Sequence, residues 1–237
     1  MLAWTQLAVA GLIGGLLALE RRAFLQAMLS RPLVASTLIG AALGDTRSGL
    51  LVGMVLELFH LGSANLGAAL AENDTLAATG TAAAAVGMTA VHVGSTPAMC
   101  SLAILLFVWL GPAGRLLDRR LDRYAARLVR TASQAAEVGD LRRAVRQNLW
   151  GMWPYFAAHG GVTALCYVIG VVLSDYVDQM PLAILRGLAW AYPAMASVSA
   201  AIAVRGSHAR RAYLIAGVAA VLVIVVATVL PMVRGAA

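Results

Sequence analysis

Uncharged apolar stretches recur along the whole chain, and the polar residues gather between them. The first stretch runs from residue 2 to residue 19 and is followed at once by Glu20, Arg21 and Arg22. A cleaved signal peptide carries its positive charge ahead of the apolar run, so charge placed after it predicts an uncleaved first helix. The 18 residues of this run rise about 1.5 Å each and reach roughly 27 Å, just enough for a hydrocarbon core about 30 Å thick.

The next stretch differs in kind. Pro32 to Gly44 offers only 13 apolar residues before Asp45 and Arg47 interrupt it, too short a run to span. Ser48 to Ala71 follows with Glu57, His60 and Asn65 embedded in it, and then comes the polar cluster Glu72, Asn73 and Asp74. Short, glycine-interrupted apolar segments with embedded polar groups predict broken or re-entrant helices. Glycines at 40, 44, 49 and 53 form two small-xxx-small pairs around Asp45, which predicts a tightly packed helical hairpin.

Residues 75 to 114 carry no formal charge over 40 positions, room for two passes with a turn near Gly94 to Pro97. The first half is mostly Ala, Gly and Thr, which predicts a helix packed inside the protein rather than against acyl chains. Residues 115 to 147 then place Leu117, Leu121, Tyr124 and Leu128 at helical spacing, with arginines on the other face. This predicts an amphipathic helix, broken at Gly139-Asp140, where a second helix can be capped. Three further passes are predicted at 148–174, 179–204 and 212–233. The fold class expected is therefore all-α: a polytopic integral membrane protein, with broken helices in its N-terminal half and an amphipathic cytoplasmic segment.

Composition and charge sharpen this picture in two ways. Of the 237 residues, 61% are hydrophobic and 12% charged, about half the charged fraction of an average soluble domain, so a soluble reading fails. The net charge of +7 comes from 18 arginines against 11 acids, with no lysine, and the arginines' distribution argues against nucleic acid as the partner. Nine arginines fall within 115–147 and others lie at 205–211, whereas Asp175 and Asp178 occupy the intervening junction. The positive-inside rule then puts 115–147 and 205–211 in the cytoplasm. Anionic headgroups of the lipid bilayer or a soluble partner can meet that basic face. Cys100 and Cys166, both in apolar stretches, behave as small hydrophobes rather than as a disulfide framework.

Candidate chemistry centres on Glu57, since a carboxylate within an apolar stretch costs about 2.5 kcal/mol or more unless it faces a cavity or a partner. His60 lies one turn further, so in a continuous helix the two share a face and offer an acceptor and a donor/acceptor to hydroxyl groups. Glu57 can equally satisfy freed backbone N–H groups at a broken helix. Asp45 and Arg47 read as a turn at the membrane surface, and Arg31-Pro32 as a helix start. HExxH, GxSxG, Walker and CxxC patterns do not occur, and His92, His159 and His208 are isolated in sequence. No catalytic residue, metal or cofactor is expected.

The run from residue 31 to residue 71, with its Arg-Pro, Gly-Asp, Leu-Glu-Leu and Asn-x-Gly-Ala-Ala elements in order, resembles a known signature. It is that of the IIC subunit in the mannose/fructose/sorbose family of the phosphoenolpyruvate-dependent sugar phosphotransferase system. Ala135 to Leu141 is similar to that family's cytoplasmic helix break, and a weaker resemblance extends over roughly residues 5 to 230. Two departures stand out: Ala71-Glu72-Asn73-Asp74 replaces the usual Ala-Pro-Asp, and His60 stands where an apolar or small residue is usual.

The resemblance implies a single membrane-embedded domain over 1–237 in the bacterial inner membrane, multi-pass, binding a hexose-type sugar. It implies a IID membrane subunit as partner, in a threefold oligomer of IIC–IID pairs. Soluble IIA and IIB phosphocarriers would phosphorylate the sugar, so the chain itself is expected to transport rather than catalyse. Glu57 and Asn65 match the family's positions for sugar contact, with His60 added beside them. Arg31, Asp45 and Gly67 are implied as structural supports. A regulatory or receptor-like membrane protein of the same fold is the alternative.

Overall fold

The computed structural model describes residues 4–61, 72–89 and 96–205, and every element among them is helical. In chain order these are α1 (Trp4–Arg22), α2 (Pro32–Leu43), α3 (Thr46–Leu61), α4 (Asp74–Thr89), α5 (Thr96–Phe107), α6 (Leu110–Glu137), α7 (Leu141–Val177) and α8 (Leu182–Arg205). The pass expected at 212–233 lies outside the described residues.

α4 forms the centre. Every residue from Thr75 to Thr89 is buried, as the small-residue composition predicts, and α1, α2, α3, α5, α6 and α7 all pack against it. Ala, Gly and Thr allow this because they keep the helix narrow. At Gly170 a Cβ would overlap the Ala84 backbone, and at Gly87 it would lie 2.7 Å from the Tyr167 carbonyl oxygen, so α4 and α7 touch backbone to backbone. α8 lies outside this arrangement, against α3 and α5.

α2 and α3 form the expected hairpin. α2 starts at Pro32, whose missing N–H costs nothing at the first helical position, and stops at Gly44 with φ +93°, a left-handed turn that suits glycine. Asp45 begins α3: its carboxylate accepts from Ser48 N at 3.0 Å and from the Ser48 and Thr89 hydroxyls at 2.5 and 2.7 Å. Asp45 is thus a helix cap that also ties the hairpin turn to the end of α4. A Cβ on Gly40 would come 2.8 Å from Gly49 Cα, so the arms are in backbone contact.

Two boundaries differ from the sequence pattern. α6 does not begin at the first arginine but at Leu110, after a bend of 43° from α5, because the i→i−4 ladder resumes as soon as the Val108-Trp109 break is passed. The helix expected to start after Gly139-Asp140 and the pass expected from residue 148 are one continuous helix, α7, with Pro154 inside it. The break itself falls where expected: Gly139 has φ +78° and the Asp140 carboxylate accepts from Arg143 N at 3.0 Å. Helices 141–177 and 182–204 are long and apolar enough to cross a membrane, and the bent α5–α6 pair adds a third candidate.

Candidate functional site

Glu57 sits one turn beyond Gly53 on α3. Gly53 allows the closest approach of the hairpin arms at that end, since a Cβ there would lie 2.9 Å from Leu33 Cα. The Glu57 side chain therefore reaches the start of α2, where Oε2 accepts from Leu33 N at 3.2 Å and Oε1 lies 3.3 Å from Arg31 Nη1. Arg31 is the N-cap residue of α2 but makes no side-chain cap bond, so Glu57 supplies from α3 the acceptor that α2 lacks. A carboxylate also suits the positive end of the helix dipole. The Glu57 side chain is 17% exposed, so the acid keeps access to a ligand while its cost is offset by a cation and a backbone donor.

His60 follows on the same helix, which stays α-helical to Leu61, so it shares a face with Glu57. Its Nδ1 lies 2.9 Å from the Leu56 carbonyl oxygen and therefore donates to it. Its Nε2 is directed toward the start of α6: a methyl group on Gly111 would lie 3.6 Å from His60 Nε2 and 3.5 Å from Glu72 Oε2. The hairpin end, the start of α6 and Glu72, two positions before α4, thus converge. Asn65 and Gly67 lie outside the described residues. Asp45 stands at the other end of α3, 12 positions from Glu57, or roughly 18 Å at helical rise.

A second polar assembly adjoins this one. Arg21 pairs with Asp74 at 3.0 Å and donates to the Glu72 carbonyl oxygen at 2.9 Å. Arg22 lies 3.1 Å from Asp118 and 2.6 Å from Asp122, with its guanidinium 4.7 Å from the centre of the Tyr155 ring. Asn73 donates to Asp118 at 2.9 Å, and its Nδ2 lies 2.8 Å from His159 Nε2. Glu20, buried at the end of α1, accepts from Leu29 N and Ser30 N at 3.2 and 2.8 Å. It holds a loop in which Leu25, Gln26 and Met28 all have positive φ.

None of these residues was singled out as a site by its sequence pattern. The polar run Glu72-Asn73-Asp74 was the one available signal, and Asn73 caps α4 by accepting from Leu76 N at 2.8 Å.

Two cavities lie away from Glu57. A cleft of about 410 Å³ between α1, α6 and α7 is lined by Arg22, Ser133, Asn148 and Tyr155 among others. An apolar groove of about 450 Å³ runs along α3, α5 and α8, past Leu56, Phe59 and Met195. Among the described residues no group of His, Cys, Asp or Glu is arranged to hold a metal ion.

Comparison with known proteins agrees with this architecture. The mannose-specific EIIC component of the phosphotransferase system (PTS) from Escherichia coli strain K12 is 33% identical over 112 residues, 47% of this chain and 39% of that protein. The PTS sorbose-specific EIIC component of Klebsiella pneumoniae is 29% identical over 160 residues, 67% of this chain and 57% of that protein. The chain therefore spans between 39% and 57% of the length of these relatives. Among solved structures, one described as a membrane protein superposes with a TM-score of 0.69 at 21% identity, covering 100% of this chain and 97% of the other. A cryoEM structure of the mannose transporter ManYZ with microcin E492 gives 0.60 at 21% identity, covering 100% and 96%.

The family model described as the PTS system sorbose-specific IIC component matches residues 4–236. A match over nearly the whole length, on a bundle of apolar helices, identifies a multi-pass inner-membrane protein, and the chain belongs to the PTS sorbose-specific IIC component family.

Proposed function

We propose that this chain is the membrane-translocating subunit of a sugar phosphotransferase system, binding a hexose-type sugar and passing it inward. The observation that carries this is the end of the α2–α3 hairpin, where a partly exposed carboxylate stands between a guanidinium and a helix N-terminus. Such a carboxylate has lone pairs left for sugar hydroxyls, and charge-assisted hydrogen bonds to it are worth about 1.5–3 kcal/mol. Glu57, His60 and Asn65 contact the sugar in this reading. Arg31 and Gly67 support the site directly, and Asp45 supports it through the hairpin turn.

The hairpin acts as a re-entrant element, since α2 has 12 residues and is too short to span. The basic helix α6 and the start of α7 lie at the cytoplasmic surface, where uncompensated arginines belong. The chain forms one membrane domain and pairs with a IID subunit in threefold assemblies. Soluble IIA and IIB carriers deliver the phosphoryl group, so no bond is made or broken by this chain. A regulatory or receptor-like role is the second reading, favoured by His60 and by the altered Glu72-Asn73-Asp74 run.

Sugar binding to the purified complex of this chain with its IID partner tests the proposal. A panel of hexoses and N-acetylhexosamines is expected to contain a ligand whose affinity falls in Glu57→Gln. Uptake without any IID partner would overturn the paired arrangement, and binding without phosphorylation in a complete system would favour the regulatory reading.

A further inference from the structure

Asn73, Asp118 and His159 come from the N-cap of α4, from α6 and from α7, and all three are almost fully buried, at 1%, 4% and 3% exposure. Their hydrogen-bond roles can be assigned atom by atom. His159 Nδ1 lies 2.9 Å from the Tyr155 carbonyl oxygen, which only accepts, so Nδ1 carries a proton. Asn73 Oδ1 accepts from Leu76 N, so its other side-chain atom is the amide nitrogen, a donor. That nitrogen donates to Asp118 Oδ2 and, with a neutral ring, to His159 Nε2. Asp118 Oδ1 is then left over: it is buried, makes no hydrogen bond, and lies 3.2 Å from His159 Nε2. With a neutral ring, two lone pairs face each other across that distance, a costly arrangement in a buried site.

Charge counting gives the same answer independently. The groups facing the pair are Arg22 from α1, Asn73 from α4, and Asp122 from α6 beside Asp118. Tyr155 stands on α7 itself. Asp74 on α4 is taken up by Arg21. Asp118 and Asp122 share one cation, Arg22, so the cluster carries one negative charge in excess when His159 is neutral.

We propose that His159 and Asp118 form a proton-binding site, and that the bound proton exchanges a link between α4 and α7 for one between α6 and α7. With the proton on Nε2, the ring donates to Asp118 Oδ1, the orphaned oxygen is satisfied and the excess charge disappears. The ring then no longer accepts from Asn73, which keeps its bonds to Asp118 Oδ2 and Leu76 N but releases α7. Asn73 N donates to the Gly111 carbonyl oxygen at 3.1 Å, so the released residue lies where α4 and α6 start. The site needs no sugar and stands apart from the transport reading.

The test uses the full chain in lipid, with ¹⁵N-labelled histidine observed by solid-state NMR from pH 8 to pH 5 and His159 identified by its loss in His159→Gln. The expected result is a singly protonated ring at pH 8, with Nε2 accepting a hydrogen bond, and a doubly protonated ring at pH 5. A ring that keeps one protonation state across the range overturns the proposal.

Hydrogen exchange supplies the second arm. The amides from residue 73 to residue 77, corrected for the chemical rate, should lose about threefold to tenfold protection at pH 5, the equilibrium worth of one buried hydrogen bond. In Asp118→Asn and His159→Gln this pH response should vanish. Equal responses in the wild type and both variants would overturn the exchange of links. If a variant fails to fold, the NMR result decides alone, with His159 then identified as the signal that remains when His60, His92 and His208 are replaced.

Discussion

Glu57 and Asp118 are both carboxylates held against neighbouring helices, and the structure treats them in opposite ways. Glu57 is held within one hairpin, by partners 24 and 26 positions away in sequence, and both its oxygens are engaged at the start of α2. Asp118 is held by groups 41 to 96 positions away on three other helices, and one of its oxygens is not hydrogen-bonded. The hairpin acid is local, has one partner on each oxygen and is still 17% exposed, a combination suited to binding something from outside. The acid on α6 is sealed and under-satisfied, a combination that responds to protons and to helix movement instead.

The largest effect expected from this contrast is at Asn73. Asn73→Asp keeps a capping oxygen for α4 but sets a second carboxylate against Asp118 at 2.9 Å. An uncompensated buried charge costs about 3–5 kcal/mol, so thermal unfolding in detergent should show a much less stable or unassembled protein. Wild-type stability in Asn73→Asp would remove the sealed character of this assembly.

Next comes the hairpin packing. In Gly49→Ala the new methyl group would overlap the Ser36 carbonyl oxygen and lie 2.9 Å from Gly40 Cα, both backbone atoms that cannot step aside. Overpacking of this kind costs about 1–3 kcal/mol, to be read as a lower melting temperature and weaker sugar binding together.

Glu57→Gln separates the two roles of the hairpin acid. The amide oxygen can still accept from Leu33 N while the ion pair with Arg31 is lost, so the fold should survive. Sugar affinity should fall by about one to two decades, the worth of one charge-assisted hydrogen bond. Calorimetry on well-assembled protein checks this, and unchanged affinity would leave Glu57 as a helix cap alone.

The smallest effect is expected at Gly161, where an added Cβ meets nothing within 4 Å. Gly161→Ala should be neutral or stabilising by up to about 1 kcal/mol through helix propensity. Against Gly49→Ala it calibrates how far glycine is needed for close approach rather than merely tolerated.

Much of the fold was legible because its signals are local. The 13-residue apolar arm, the glycines at 40 and 49, and the Gly139-Asp140 break each act within a few residues, and each produced the expected element. The burial of α4 followed from its Ala, Gly and Thr content. The sugar-site candidates were legible only as a sequence resemblance and an acid out of place. That Glu57 caps α2 was one of two open readings; the cap is visible only in the Leu33 N to Oε2 distance of 3.2 Å, and the sugar reading stands beside it.

The sequence by itself determined the helical class, the hairpin and the helix break, since periodicity, glycine spacing and apolar length are properties of neighbouring residues; the family was legible only through the resemblance carried by residues 31 to 71. Only the tertiary structure decided what Asn73, Asp118 and His159 do. Asp118 reads in sequence as one charge on a basic helix and His159 as a lone histidine in an apolar pass. Their chemistry exists only because α4, α6 and α7 meet, bringing groups 45 and 86 positions apart within hydrogen-bonding distance of one amide. A hydrogen bond depends on position to a few tenths of an ångström, and no one-dimensional pattern carries that information across so long a separation.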